Sequence, residues 1–525
     1  MKRVDIYDTT LRDGTQGAGI TFSLEDQLEV AAKLDALGVR YIEGGQPGSN
    51  PKVVSFFRQA KKLRLKNATI TAFGSTHHPR GKVEDDRNVI ALLKAGTEVV
   101  TIVGKSSDFH VRKVLGTSLK KNLELIEDTI SYLRKKRRRV VFDAEHFFDG
   151  FLARPDYALK TIEVAQNAGA ETIVLCDTNG GNIPSTVRKI VREVRETINA
   201  KLGVHMHNDC GMAVANSIVA VEEGAVQVDG TINGYGERCG NADLCVVIPA
   251  IKLKLGMGCI STRQMKMLTE TAHYVSELAN VAPEEKQPFV GRNAFTHKGG
   301  MHIHAVQKAT ETYEHIDPET VGNRRHLLVS ELSGRTGIAE KAGELGIKLD
   351  KERPETRQIL EKIKELEQDG YQFEAAEASF ELLIKKATGK HRTFFDLAGF
   401  RVIVEKQDGE PVSEATIKLV VDGQEEHTAA EGDGPVDALD HALRKALEKF
   451  YPDLAEMHLS DFKVRVLDAQ AGTAAKVRVL IESSDATTTW RTVGVSENIL
   501  EASWLALVDA IEYKLLRDRE PKKRD

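Results

Sequence analysis

The first 270 residues alternate between short β-rich runs and longer amphipathic runs, and this alternation constrains the possible folds most strongly. The run "SLEDQLEVAAKLDALG" is typical of the predicted helices, with Ser23 as a candidate N-cap and Gly38 at its end. Repeated βα units predict an α/β fold, and eight units in about 250 residues predict a (β/α)8 TIM barrel. The predicted strands cover residues 3–8, 40–45, 69–74, 98–104, 139–146, 171–177, 202–208 and 228–234.

The alternative to a barrel is an open doubly wound sheet, which requires a reversal of strand order that a sequence does not reveal. Beyond the predicted barrel, which covers residues 1–270, the predicted secondary structure changes twice. Residues 271–392 have mostly helical patterns and indicate linker subdomains. Residues 393–525 are richer in β patterns, and an order of strands followed by a helix recurs after about 63 residues, which indicates an internal duplication. We therefore predict a C-terminal α+β domain.

Composition narrows the classes of function. The chain has 41% apolar and 29% charged residues and a net charge of −5, so charge gives no argument for a nucleic-acid partner. The basic run from Arg134 to Arg139 is explained by the end of an amphipathic helix. Five cysteines without paired spacing favour a reducing compartment, and we find no signal peptide or transmembrane run. A cytoplasmic protein without a membrane partner is expected.

If the chain forms a TIM barrel, its functional residues should lie at the carboxyl ends of the strands, as they do in other barrels of this kind. Here those ends carry "DTTLRDGTQ", "EGG", "GSTHH", "GKSSDFH", "DAEH", "CDTNGG", "HMHND" and "NGYGERCGN". Helix capping explains some of these polar residues, such as Asp177 and Asn241. Capping does not explain eight polar ends around one mouth.

His205 and His207 are two residues apart in the seventh strand, so they face the same side. Asp13 follows the first strand, and Asn241 follows the eighth, which neighbours the seventh in a closed barrel. A carboxylate, two imidazoles and a carbonyl oxygen suit a divalent Mg, Mn or Zn ion with open positions. Two ordinary hydrogen-bonded histidines are the structural alternative. The glycines of "GYGERCG" do not match a dinucleotide fingerprint in spacing or place.

Three of these motifs, "DTTLRDGTQ", "HMHND" and "GYGERCGNADL", resemble those of the metal-dependent acyl-CoA condensing enzymes built on a TIM barrel. That family contains the isopropylmalate, homocitrate and citramalate synthases, and the resemblance covers nearly the whole chain. It implies condensation of acetyl-CoA with a 2-oxo acid that chelates a divalent metal. Thr15 departs from the family, where Glu is frequent at that place.

The resemblance also implies roles for individual residues. The implied metal ligands are Asp13, His205, His207 and Asn241. Implied substrate contacts come from Arg12 (oxo oxygen), Thr178 (carboxylate), Gln16, Glu43 and His110. Glu145 matches the catalytic acid. His302, which forms a second alternating pair with His304 in "MHIHAV", matches the family's catalytic histidine, which pairs with this acid. Its segment reaches the partner subunit's active site in the family, and Tyr313 matches a tyrosine of the same segment.

The substrate and effector follow from finer resemblances. Segments 74–86 and 104–126 resemble the branch that uses pyruvate, whose product is (R)-citramalate. The sequence "EGDGPVDAL" resembles the regulatory domain in which the amino-acid end product binds, so isoleucine is the expected inhibitor of a homodimer. Leucine and 2-oxoisovalerate are the nearest alternative pair, and a plain dimerisation domain is the structural alternative. A metallohydrolase with its HxH on the first strand and a non-catalytic amino-acid sensor remain alternatives of other classes.

Overall fold

The computed structural model describes residues 3–327, 342, 354–406, 409–467 and 475–519. The chain divides into two compact units, Met1–Phe295 with Ile316–Arg325 and Thr296–His315 with His326–Asp525. Among the helices in the described ranges, none is long and apolar enough to cross a membrane.

Eight parallel strands of the first unit close into a barrel in the order of the chain, which confirms the predicted TIM barrel. Strand β1 pairs with β2 on one side and with β8 on the other, where Asp5 lies opposite Gln227. Each strand overlaps its predicted run. The strands are β1 (Asp5–Asp8), β2 (Tyr41–Glu43), β3 (Thr69–Ser75), β4 (Val99–Lys105), β5 (Arg139–Glu145), β6 (Thr172–Asp177), β7 (Lys201–Met206) and β8 (Gln227–Gly230).

Helices cover the outside of the barrel. The first begins at a capping box, in which the Ser23 side chain accepts from the Asp26 N–H and Asp26 accepts from the Ser23 N–H, and Gly38 ends it at a φ of 90°. The helices of this unit are α1 (Leu24–Leu37), α2 (Pro51–Ala60), α3 (Arg87–Ala95), α4 (Asp108–Lys113), α5 (Leu119–Lys135), α6 (Phe147–Ala153), α7 (Pro155–Asn167), α8 (Pro184–Thr197), α9 (Ala213–Glu222), α10 (Leu244–Pro249), α11 (Thr262–Met265) and α12 (Leu268–Leu278).

Successive side chains of a strand face opposite sides, so each strand contributes to two apolar clusters, one between the strands and the helices and one inside the barrel. Ile6 belongs to the large apolar core between strands and helices. Tyr7, the next residue, belongs to a smaller cluster inside the barrel with Tyr41 and Val174. Through the Tyr7 hydroxyl this interior cluster contacts Glu43, one of the predicted substrate contacts.

The second unit contains two three-stranded antiparallel sheets, each followed by a helix that packs on it. This repeat confirms the predicted α+β domain with an internal duplication, and apolar residues of both halves share one core. The elements are β9 (Thr296–His297), α13 (Gly300–Lys308), β10 (His326–Leu327), α14 (Pro354–Gln368), α15 (Glu377–Ala387), β11 (Asp396–Glu405), β12 (Val412–Val421), β13 (Gln424–Gly432), α16 (Pro435–Leu447), β14 (His458–Val466), β15 (Val477–Ser484), β16 (Thr489–Ser496) and α17 (Ile499–Arg519).

The alternating pair of His302 and His304 is corrected by the structure, because both residues lie on helix α13. Residues two apart on a helix point about 200° apart around its axis. Ile303 and Val306, three apart, form the buried side of this helix. The two histidines therefore do not face the same side, as they would on a strand.

Candidate active site

Asp13, His205 and His207 converge at the mouth of the barrel. One ligand atom from each lies within 4.8 Å of the others, and all three residues are buried. Asp13 Oδ2 lies 2.9 Å from His205 Nε2. Among the described residues, this is the one group of three His, Cys, Asp or Glu side chains that converges so closely.

Local structure explains this convergence. Asp13 immediately precedes a single 3-10 turn, Gly14–Gln16, after β1. The loop after β8 is pinned to the end of β7, because the Asn208 N–H donates to the Gly240 carbonyl at 2.9 Å and the Ala242 N–H donates to the Met206 carbonyl at 2.9 Å. These bonds hold Asn241 beside the two histidines.

The Asn241 amide completes the group. Its Nδ2 lies 2.9 Å from Asp13 Oδ2 and 3.1 Å from His205 Nε2, while its Oδ1 is buried without a hydrogen bond. A half-turn of the amide about χ2 presents Oδ1 to the same centre. A Cβ at Gly236 would lie 1.9 Å from Asn241 Oδ1. Gly236 of "GYGERCG" thus leaves room for the Asn241 amide, which a larger residue would displace.

The donor set fits a divalent cation. His205 Nδ1, His207 Nδ1 and Asn241 Oδ1 are buried without hydrogen bonds, which costs free energy unless another group engages these side chains. Imidazole nitrogens are ligands that suit Zn, and the Asp13 carboxylate together with an amide oxygen suits Mg or Mn, so the mixed set admits each of these ions. His205 Nδ1 also lies 3.8 Å from Asp229 Oδ2, beyond hydrogen-bond distance but close enough for the Asp229 charge to act on the imidazole.

Electrostatics distinguish the three residues. Burial opposes ionisation of Asp13, but Arg12 and the hydrogen bond from His205 hold the pKa of its carboxyl well below the usual range. Burial also opposes a charge on His205, yet the hydrogen bond to Asp13 and the charge of Asp229 raise its pKa to about 10. Burial and the neighbouring His205 lower the pKa of His207 to about 4. A neutral His207 offers a free lone pair to a cation.

Arg12 is fixed beside Asp13. Its Nη1 lies 2.8 Å from Asp13 Oδ1, its Nε lies 2.5 Å from Glu43 Oε1, and its guanidinium stacks 4.1 Å from the Phe73 ring centre. Within the described part of the chain, Nη2 of Arg12 has no hydrogen bond. One donor of Arg12 is therefore left for a ligand.

A second group of polar residues lies at the ends of β4, β5 and β6. Glu145 Oε2 lies 2.5 Å from Lys105 Nζ, and the two residues are direct partners between strands. Thr178 Oγ1 accepts a 2.9 Å hydrogen bond from the His146 N–H, and the His146 ring stacks on His110 at 3.5 Å. A cavity of about 680 Å³ opens beside the Lys105–Glu145 pair.

The remaining predicted residues lie apart from this group. Gln16 is exposed on the short turn that follows Asp13. His302 and Tyr313 belong to the second unit, where both are exposed and their rings stack at 4.0 Å. The predicted pairing of His302 with Glu145 stays a prediction.

Sequence reasoning missed three residues of the site. Lys105 ends a strand in "GKSSDFH", so the rule on strand ends was sufficient to find it. Tyr7 and Asp229 lie inside strands β1 and β8, where no strand-end signal marks them.

Three family models match successive parts of the chain. The HMGL-like model matches residues 3–275, which is more than half of the chain. The homocitrate synthase post-HMGL domain-like model matches residues 289–371. The LeuA allosteric (dimerisation) domain model matches residues 374–515.

Curated relatives match over almost the full length. An (R)-citramalate synthase from Geobacter sulfurreducens is 57% identical and covers 99% of both chains. This chain belongs to the (R)-citramalate synthase family. Another member, from Aquifex aeolicus, is 54% identical over 99% of both chains. Five relatives with this name are 45–57% identical to the chain, and one named putative (R)-citramalate synthase is 33% identical. Two named 2-isopropylmalate synthase, one of them as probable, are 31–32% identical.

One solved structure is similar to part of this chain. The hydroxymethylglutaryl-CoA (HMG-CoA) lyase of Bacillus subtilis aligns with a TM-score of 0.47 and 20% identity, covering 56% of this chain and 97% of that chain.

Proposed function

We propose that the chain catalyses condensation of acetyl-CoA with pyruvate and water to give (R)-citramalate and CoA. The observation that carries the proposal is the cluster of Asp13, His205 and His207 with Arg12 beside it, in a chain 57% identical to a relative named for that product. The HxH pair ends the seventh strand rather than the first, which argues against a metallohydrolase of the kind with HxH on its first strand.

Pyruvate binding is assigned to the residues around this cluster. The free Nη2 of Arg12 donates to the oxo oxygen, and the Thr178 hydroxyl donates to the carboxylate. Thr178 suits this role because its oxygen accepts from the His146 N–H, which leaves its own hydrogen available. A divalent Mg, Mn or Zn ion on Asp13, His205, His207 and Asn241 supplies Lewis-acid polarisation of the oxo group when it is bound. Gln16, Glu43 and His110 are the further proposed pocket residues.

The bond-forming step follows from these contacts. A base removes a proton from the acetyl methyl group, and the resulting carbanion attacks the oxo carbon of pyruvate. The oxo oxygen becomes an alkoxide, stabilised by the Arg12 guanidinium, and takes up a proton to give the tertiary hydroxyl. Water then hydrolyses the thioester and releases CoA. Glu145 is the proposed acid–base group, with His302 and Tyr313 contributed from the partner subunit.

Regulation is assigned to the C-terminal residues 393–525, and residues 271–392 are assigned as the linker that contributes to the active site. The match of the LeuA allosteric (dimerisation) domain supports a homodimer and an amino-acid effector. Isoleucine is the proposed effector, because (R)-citramalate, the proposed product, lies on a route to isoleucine.

The test is release of the CoA thiol from acetyl-CoA with Mg or Mn and each of four acceptors: pyruvate, 2-oxobutyrate, 2-oxoisovalerate and 2-oxoglutarate. Each assay is repeated with EDTA, with isoleucine and with leucine. We expect the highest kcat/KM with pyruvate, loss of the signal with EDTA and inhibition by isoleucine. Preference for 2-oxoisovalerate with leucine inhibition would assign the other substrate, and no thiol release with any acceptor would refute condensation.

A further inference from the structure

The Tyr7 hydroxyl is the centre of a buried polar network inside the barrel. It lies 2.7 Å from Glu43 Oε2, 2.7 Å from Thr71 Oγ1 and 2.6 Å from Thr101 Oγ1. All four side chains belong to residues with no solvent exposure. The network thus joins strands β1, β2, β3 and β4 at one oxygen.

The direction of each hydrogen bond follows from counting hydrogens. A phenol has one hydrogen to donate, and a carboxylate can only accept, so Tyr7 donates to Glu43. The Thr101 hydroxyl then donates to the Tyr7 oxygen, while the Thr71 hydroxyl lies 2.7 Å from that oxygen and 3.4 Å from the Ile42 carbonyl, to which it can also donate. Burial, followed by the charge of Glu43, raises the pKa of Tyr7 well above its usual value, so this hydrogen stays in place.

Glu43 links the phenol to the candidate active site. Its other oxygen, Oε1, accepts from Arg12 Nε at 2.5 Å. Arg12 is further held by Asp13 at 2.8 Å and by the face of Phe73. Each oxygen of the Glu43 carboxylate therefore accepts one hydrogen bond, Oε2 from Tyr7 and Oε1 from Arg12.

We propose that Tyr7 is a positioning residue for the condensation: its hydroxyl fixes the Glu43 carboxylate, which aims the free donor of Arg12 at the oxo oxygen of the substrate. Without the hydroxyl, Glu43 keeps only one partner among its contacts and can rotate. Arg12 then loses the direction that stabilises developing negative charge. This inference rests on the proposed function, because it requires Arg12 to contact a 2-oxo acid.

The chain offers a matched control in Tyr41, which lies in the same interior cluster with its ring centre 5.6 Å from that of Tyr7. The Tyr41 hydroxyl lies 3.1 Å from Arg139 Nη2, at the amino end of β5 and away from the mouth. Tyr7→Phe and Tyr41→Phe each remove one buried hydroxyl. Only the first change acts on Glu43.

The experiment measures kcat and KM by thiol release, the Kd of pyruvate by calorimetry with Mn present, the Kd of Mn, and Tm. For Tyr7→Phe we expect kcat to fall about 10–100-fold and pyruvate to bind several-fold more weakly, since a hydrogen bond to a charged group is lost. The KM for acetyl-CoA and the Kd of Mn should stay within about twofold of the parent values, and Tyr41→Phe should leave kcat within about twofold.

Three results would overturn the proposal: an unchanged kcat in Tyr7→Phe, an equal loss in both variants, or a loss that follows Tm alone. If Tyr7→Phe does not fold, Thr101→Val replaces it in the test, because it removes one donor to the Tyr7 hydroxyl. It should reduce kcat by a smaller factor. A parent chain that binds pyruvate but releases no thiol would refute the proposed function only, and the pyruvate Kd values would still decide the role of Tyr7. A parent that does not bind pyruvate would refute both.

Discussion

Lys105 and Glu145 are direct partners across the neighbouring strands β4 and β5, and their side chains form an ion pair with 2.5 Å between Nζ and Oε2. Both side chains are about one-quarter exposed, at 22% and 24%. Such a pair adds only about 0–1 kcal/mol to the free energy of unfolding. Its main effect is therefore on the orientation of the Glu145 carboxylate. The ammonium holds the Glu145 carboxylate at the edge of the cavity.

Lys105→Met should therefore reduce kcat about 10-fold while changing Tm little, because Glu145 loses its fixed orientation. Steady-state kinetics and a thermal melt measure the two effects. Lys121→Met is the control, since Lys121 pairs with Glu124 on the outer surface of α5. Equal kcat values for both variants would contradict the role given to the ion pair.

Asp229 should control metal affinity through His205. Asp229→Asn removes the negative charge that lies 3.8 Å from His205 Nδ1, and we expect Mn to bind about 10–100-fold more weakly. His207→Ala removes a proposed ligand and should abolish measurable binding. Calorimetric titration with Mn compares both variants with the parent, and an unchanged Kd in His207→Ala would exclude the site as described.

Gly236→Ala tests the packing of the loop that carries Asn241. The new methyl group would overlap Asn241 Oδ1, which lies 1.9 Å from the position of the added Cβ. We expect the amide to be displaced and Mn affinity and kcat to fall together. Gly48→Ala is the control, because its nearest contact would lie at an ordinary 3.7 Å. Mn affinity equal to that of Gly48→Ala would show that Asn241 does not bind the metal.

Asp8 predicts a pH dependence of stability. Burial raises its pKa to about 7 in the folded chain, although hydrogen bonds from Thr10 oppose the shift. The unfolded carboxyl has a pKa near 4, so between about pH 4 and 7 only the folded state keeps this proton. Stability contributed by Asp8 therefore falls as pH rises through this window.

Asp8→Asn removes this titration. Its free energy of unfolding, relative to that of the parent, should rise from about pH 4 to 7 and remain constant above. Urea melts at several pH values measure the difference. A difference that does not vary with pH would show that Asp8 is ionised in the folded chain throughout.

The sequence predicted those parts of the fold that depend on local patterns. The run "ETIVLCD" predicted a strand at 171–177, and β6 spans Thr172–Asp177. The capping box at Ser23 is likewise a local signal. Asp13 and His205 could be expected to meet, because the carboxyl ends of all strands in such a barrel surround one mouth.

Contacts that depend on strand register could not be predicted in this way. Tyr7 bonds to Thr101, 94 residues away, because β1 and β4 present these side chains to the same point inside the barrel. No local pattern in the sequence encodes the position of these side chains along the barrel axis. The run "MHIHAV" fits both a strand and a helix, and the burial of Ile303 and Val306, three residues apart, shows why the helix forms.

The central claim is that this chain joins the acetyl carbon of acetyl-CoA to the oxo carbon of pyruvate. Incubation with [2-13C]acetyl-CoA, pyruvate and Mn, followed by 13C NMR and chiral chromatography, tests it most directly. We predict a single product, (R)-citramalate, labelled in its methylene carbon and absent when EDTA is added. Recovery of the label as free acetate, with no new carbon–carbon bond, would contradict the account.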